Sequence, residues 1–301
     1  MTTSADERAR ELAQLPFRNA GARQGFIAGT TASLRDLQAN RELLSHLVRR
    51  ELKSRYKDST LGFVWSLIRP LTMLLVYYVA VGQFLGAARG TPSFAIFIYC
   101  GLTAWTLFAE AVTSGTMSVV QNAGLIKKVY VPREVFPLAA VGSAGFNFLI
   151  QLVILLAATA AAQQFPTGSR WFYLPLAAAV LFAFSTTLSL VLSAANVYLR
   201  DVQYLVEVGL ALLFWASPIV YPWRLVEEHL GGTFWEQLYL ANPITLVVMG
   251  FQQAFWVAGD SQPVPADLGA RLGIALGIGL VLLWAGQRLF ATLQSNFAQE
   301  L

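Results

Sequence analysis

Cysteine and histidine are almost missing from this chain, and charge is scarce. Cys100 is the only cysteine, so a disulfide framework is excluded. Set inside an apolar run, it reads as a packing residue. His46 and His229 are the only histidines, and they stand too far apart for an HExxH site or a histidine cluster. Four lysines occur, and the only one followed by serine, Lys53, is preceded by Leu52. A Walker-type loop needs glycine and then Lys-Ser or Lys-Thr, so that backbone amides and the ammonium cradle phosphates. That pattern is missing, as are GxSxG and DxD elements. Charged residues make up 13% of the 301 positions, against about 25% in soluble domains.

Apolar residues take the place of charge. They form 56% of the chain, and the mean hydropathy is +0.54. Several runs approach 20 residues, the length that crosses a bilayer as a helix. They cover 61–85, 94–120, 135–162, 171–196, 203–221 and 266–290. A further run, 243–258, has only 16 residues and holds Gln252 and Gln253 near its centre. With the aromatic and charged stretch before it, it reads as two short helices dipping into the outer leaflet. The expected fold is an all-α integral membrane protein with six transmembrane helices. An amphipathic N-terminal interface helix precedes them, and the two re-entrant outer helices lie between spans five and six.

The cations orient this arrangement. Of 21 Lys and Arg, 12 lie at or before Arg69. Lys127, Lys128, Arg133, Arg200 and Arg288 join them on one side, leaving Arg89, Arg170, Arg224 and Arg271 on the other. The positive-inside rule then places both termini in the cytoplasm. The same distribution explains the net charge of +4 without nucleic acid. The first 30 residues lack the apolar core of a signal peptide, so the first span is expected to direct insertion.

Residues 1–32 read as a polar tail, 33–58 as the interface helix and 59–301 as the transmembrane domain. Leu34, Leu37, Leu44, Leu47, Val48, Leu52 and Tyr56 share one side of that helix at about 100° per residue. Arg49, Arg50, Lys53 and Lys57 face the other way, towards anionic headgroups, while Arg41 and Arg55 break the stripe. Arg69-Pro70 lies inside the first span, where proline predicts a kink. Arg69 either snorkels or faces a polar pathway. Glu110 is an acidic residue in mid-span and marks either a functional position or a hydrogen bond between helices. Gly273, Gly277 and Gly279 suggest close packing in the last span. The polar break at 121–137, QNAGLIKKVYVPREVFP, must leave the lipid, because bare backbone cannot stay there.

Four stretches resemble a known family. RRELKSRYKDSTLGFVWSLIRPL (49–71), GLIKKVYVPREVFPL (124–138), NVYLRDVQYLVEVGLALLFWASPIVYP (196–222) and Asn242-Pro243 are similar to the membrane subunit of ABC-2 type polysaccharide exporters. That family includes permeases for lipid-linked O-antigen, teichoic acid and cell-wall galactan. The likeness runs from about residue 40 to the C-terminus. One departure is Gln252-Gln253 after Phe251, where the family pattern carries Phe-Arg.

The resemblance implies a half-transporter in the bacterial inner membrane. Two copies would enclose a channel, and two ABC ATPase subunits, which would bind the ATP and Mg, would dock below. This chain would carry no cofactor. Residues 121–134 would be the coupling helix, with Leu125, Lys127, Lys128, Val131, Pro132, Arg133 and Glu134 at the ATPase contact. The helices within 223–258 would form an outer gate. The cargo would be a polyprenyl-diphosphate-linked glycan.

A pore for such a polymer wants aromatic platforms and hydroxyls. The candidates are Tyr77, Tyr78, Trp105, Thr106, Phe108, Phe214, Trp215 and Tyr221, with Glu110 nearby, set against the interfacial belt that aromatics near span ends also form. Arg49, Arg50, Lys53, Arg55 and Lys57 would meet the diphosphate headgroup or fix orientation. Three alternatives stand beside this reading. A permease for a small lipid or drug keeps the coupling loop without the aromatic lining. An ion-coupled transporter would use Glu110 or Glu207, although no internal repeat is visible. A scaffold or glycosyltransferase lacks acceptor chemistry here.

Overall fold

A computed structural model describes residues 26–56, 64–128 and 131–301. Among these all the regular structure is helical, with no strand. Two helices begin it, α1 (Phe26–Ala39) and α2 (Arg41–Tyr56). The single periodic helix expected over 33–57 is therefore broken, at Asn40, whose side-chain amide donates to the Asp36 carbonyl at 2.7 Å.

The first long segment is α3 (Trp65–Tyr77), continued by a wider π-helical stretch at Tyr78–Phe84. Pro70 lies inside α3, and the helical pattern changes not there but at Tyr78, opening the stretch in which Gly82 lies against the Phe94 ring. The core helices are α4 (Phe94–Gln121), α6 (Val135–Ala161), α7 (Tyr173–Tyr198) and α12 (Leu268–Leu293), with the one-turn α5 (Ala123–Ile126) following α4. The short α8 (Val202–Trp215), α9 (Trp223–Leu230), α10 (Phe234–Leu240) and α11 (Pro243–Phe255) lie between α7 and α12, and α13 (Phe297–Glu300) ends the chain.

Among the described residues, five segments are long and apolar enough to cross a membrane: Leu67–Phe84, Phe94–Gln121, Val135–Ala161, Gly168–Tyr198 and Leu268–Asn296. The expected fifth span is shorter than the rest. Its helix α8 has 14 residues, rising about 21 Å, against a hydrocarbon core of about 30 Å. The chain then runs without regular structure through Ser217, Pro218, Ile219 and Val220, all buried.

Helices in lipid are drawn together by packing and hydrogen bonds rather than by exclusion of water, so small residues mark their crossings. At the α4–α7 crossing a Cβ on Gly115 would lie 2.5 Å from Ser189 Cβ. The Ser189 hydroxyl donates to the Ala111 carbonyl at 2.8 Å, and Asn196 Nδ2 to the Thr116 carbonyl at 3.2 Å. Gly250 of α11 leaves room for Ala177 of α7. In the last span only Gly279, of the three glycines noted, meets a neighbour, the Phe184 ring; Gly273 and Gly277 face open space.

The buried side chains form two cores. The larger holds Phe97, Leu107, Phe148, Leu181, Phe251 and Phe255. The smaller gathers Leu47, Val119, Ile126, Phe136, Phe290 and Phe297 at the end of the bundle that bears 121–134. The expected interface helix thus turns Leu47 into protein, and Val48 meets the gap at Gly142 of α6. At the other end, an Arg170–Asp260 ion pair and hydrogen bonds from Gln164 to Ser93 and from Trp256 to the Pro92 carbonyl tie the loops together.

Candidate functional site

The described parts of the break, 121–128 and 131–134, are held by specific contacts. Asn122 ends α4 by donating its amide to the Ser118 carbonyl at 2.7 Å, so a carbonyl of the last turn is satisfied. Its Oδ1 accepts from Arg50 Nη2 at 2.6 Å, which fastens α2 to the turn. The chain then makes α5, burying Ile126 and leaving Lys127 and Lys128 exposed, with Leu125 half-buried. Val131, Pro132 and Arg133 are also half-buried, and the Arg133 guanidinium stands 5.8 Å over the Phe297 ring.

Glu134 departs from a docking surface: it is 4% exposed. Its Oε1 accepts from Gln287 Nε2 of α12 at 3.0 Å and from Ser33 Oγ of α1 at 3.5 Å. Burial pushes this carboxyl above the usual carboxylate range, while those two hydrogen bonds and the charge of Arg288 pull it back and Asp36 pushes it up again. The described part of the loop therefore points Lys127 and Lys128 outward and clamps Glu134 inward between α1 and α12.

Of the basic residues of α2, Arg49 and Lys53 are exposed and Arg50 is held by Asn122. Arg55 lies in the same helix, and Lys57 falls outside the described residues.

Tyr77, Trp105, Phe214 and Trp215, four of the predicted aromatic residues, come from three separate segments and meet. Tyr77 of α3 stacks on Phe214 of α8, with centroids 5.6 Å apart. Trp105 of α4 sets its edge against the same Phe214 at 5.4 Å, and Phe214 against Trp215 at 5.5 Å. Tyr77 and Trp105 are half-buried and Trp215 is 60% exposed. Phe108 touches Trp105 at 5.9 Å but is itself 2% exposed, so it supports the cluster from the core. Tyr78 lies apart, beside Phe94. Thr106 spends its hydroxyl on the Leu102 carbonyl of its own helix. Glu110 accepts from Asn147 Nδ2 at 2.8 Å, an α4–α6 link. Tyr221 donates to the Trp215 carbonyl at 2.6 Å and shares a 3.0 Å hydrogen bond with Tyr239.

Beyond Trp215 the irregular backbone is sewn to α11. Asn242 caps that helix, its Oδ1 accepting from Ile244 N at 3.0 Å with Pro243 in the first turn. The same side chain donates to the Ala216 carbonyl at 3.3 Å and to Ser217 Oγ at 3.2 Å. Thr245 donates to the Ala216 carbonyl at 3.3 Å, and Gln252 to the Pro218 carbonyl at 2.8 Å. Non-helical backbone at membrane depth is tolerable when protein satisfies it in this way. The region expected to hold two outer helices holds three, and α11 is mostly buried.

Sequence reasoning missed Ser33, Gln287, Asn147 and Tyr239. A polar residue inside an apolar run, as Gln287 and Asn147 are, was the available signal.

Long apolar helices closing on small residues, with polar side chains paired between them, define a polytopic α-helical membrane protein. Within that class the chain belongs to the ABC-2 type transporter family, which it matches over residues 42–256. It is 30% identical over 270 residues to the O-antigen export system permease protein RfbA of Myxococcus xanthus, covering 89% of this chain and 98% of that one. The protein of that name from Klebsiella pneumoniae is 28% identical over 260 residues, 86% and 95% of the two chains. The polysialic acid transport protein KpsM of Escherichia coli is 22% identical over 235 residues, 77% and 89%.

Proposed function

We propose that this chain is the membrane subunit of an ATP-driven exporter that moves a polyprenyl-diphosphate-linked polysaccharide, of O-antigen, teichoic acid or galactan type, across the bacterial inner membrane. Two copies face each other around the passage, with both termini in the cytoplasm. Two ABC ATPase subunits, which bind the ATP and Mg, press on Lys127, Lys128 and the half-buried residues beside them. Movement passes from that contact through α4 and α6. Arg49, Arg50 and Lys53 stand where a diphosphate headgroup would arrive, and the helices from Trp223 to Phe255 gate the far end.

The observation that carries the reading is the convergence of Tyr77, Trp105, Phe214 and Trp215 from three segments onto one partly open aromatic surface. Sugar rings present C–H faces that slide over aromatic platforms, whereas an ion needs charged or carbonyl ligands. Membership of the ABC-2 family supports the coupling, and the names of the relatives support the cargo.

The test is export of lipid-linked glycan from proteoliposomes holding the permease with its ATPase. Export should stop when the ATPase is inactivated, and Trp105→Ala should slow it and shift the chain-length distribution. Export driven by an ion gradient with the ATPase dead would overturn the proposal.

A further inference from the structure

Glu110, Arg271 and Arg288, ionisable side chains of the long apolar helices, are matched within the chain. Glu110 takes the Asn147 amide, Arg271 donates to Gln237, and the charge of Arg288 acts on Glu134. Arg69 of α3 and Glu207 of α8 differ. Both are exposed, and neither has a hydrogen-bond or ion-pair partner among the described residues. An ionised group inside a membrane helix is costly unless it meets an opposite charge or polar protein.

The two stand at nearly one depth. Both helices start at the 121–134 end: α3 finishes with Gly82 beside Phe94, where α4 begins, and α8 follows Tyr198, which lies on Phe297. The Tyr77–Phe214 stack sets their relative level. Arg69 precedes Tyr77 by eight positions and Glu207 precedes Phe214 by seven, so they lie about 12 Å and about 10.5 Å below that stack.

Their surroundings point away from the chain's own bundle. At about 100° per residue, Arg69 falls on the side of α3 opposite Pro70, Leu74 and Tyr77, which pack inward, and shares it with the exposed Trp65, Thr72 and Val76. Tyr204, Val208 and Leu212 of α8 are each 60% exposed or more. That helix is also too short to cross the hydrocarbon alone, so protein has to complete the wall beside it.

We propose that the bare faces of α3 and α8 meet a second copy of the chain, with Arg69 of each copy paired to Glu207 of the other. The inference rests on the two-copy reading above and adds the residues that join the copies. A two-fold axis along the membrane normal keeps every residue at its own depth, so a side chain meets only those at its level. In such an isologous contact one surface must supply both members of each pair. An arginine and a glutamate at one level do so, and two charge-assisted ion pairs form per dimer.

The test expresses two differently tagged full-length copies with the ATPase, one carrying Arg69→Cys and the other Glu207→Cys. Cys100, the only native cysteine, is fully buried, so a short bifunctional methanethiosulfonate reads the new thiols. The mixed pair should give a cross-linked dimer that the parent does not. Separately, Arg69→Glu and Glu207→Arg should each lower recovery of one tagged copy with the other by about fivefold, through like-charge juxtaposition. Both reversals in one chain should restore it. That rescue separates pairing from a folding fault in either single variant. No linked dimer in the mixed pair, or a double reversal no better than the single ones, would overturn the pairing. Recovery unchanged by Arg69→Glu would assign Arg69 to lipid phosphates and overturn it too. The pairing can fail while the copies still co-purify and export glycan with ATP. Loss of that ATP dependence would instead overturn the proposed function.

Discussion

Gln287 of the last long helix donates its side-chain amide to Glu134 at 3.0 Å, across 153 residues of sequence. Glu134 immediately precedes α6 and also takes the Ser33 hydroxyl of α1. Three remote parts of the chain therefore meet at one buried carboxyl beside the basic turn.

Glu134→Lys is expected to destabilise the protein by about 3–5 kcal/mol, the usual cost of a buried charge robbed of its partners, here with Arg288 close by. Thermal unfolding in detergent measures it. A loss of coupling in this variant would report unfolding rather than a docking contact.

Glu134→Gln should behave differently, with a sign set by burial. The folded-state value is raised above the ordinary 4.5. The carboxyl thus contributes stability that is fully present below about pH 4.5 and lost as pH rises through the folded value. The amide has no such loss, so its melting temperature should match the parent near pH 4.5 and exceed it at pH 8. A parent curve that instead gains on the variant with rising pH would contradict the burial argument.

Lys127→Glu with Lys128→Glu should leave stability within about 0.5 kcal/mol, because both side chains are exposed. Permease-stimulated ATP hydrolysis should fall about tenfold or more in the reconstituted complex. Unchanged stimulation would remove the turn from the coupling contact.

Gly115→Ala places a methyl 2.5 Å from Ser189 and should cost about 1–3 kcal/mol by overpacking. Gly277→Ala, in the open, should be silent in the same melting assay.

Asn242→Ala removes a helix cap together with bonds to Ala216 and Ser217. A cap alone is worth about 1 kcal/mol, so the loss should exceed that of Thr245→Val, which removes one bond to Ala216. Paired thermal melts decide the order.

The long helices were legible because a bilayer demands unbroken apolar length, and Val135–Ala161 and Leu268–Leu293 end within a few residues of where hydropathy ends them. Of the aromatic candidates, Tyr77, Trp105, Phe214 and Trp215 come together, whereas Tyr78 lies beside Phe94 and Phe108 sits in the core. What sequence could not show was direction. Periodicity says that Leu47 and Val48 share a face but not that Gly142 receives it. Composition says that Glu134 is charged but not that Gln287 and Ser33 draw it inward. The 243–258 run looked too short to span. Its helix α11 has 13 residues and is wedged among the much longer α4, α7 and α12.

The stretch after Trp215 has no helical ladder of its own, and its carbonyls lean on Asn242, Thr245 and Gln252. A seam of that kind resists shear. Any displacement of α8 beside Phe214 therefore pulls on α11 through those bonds.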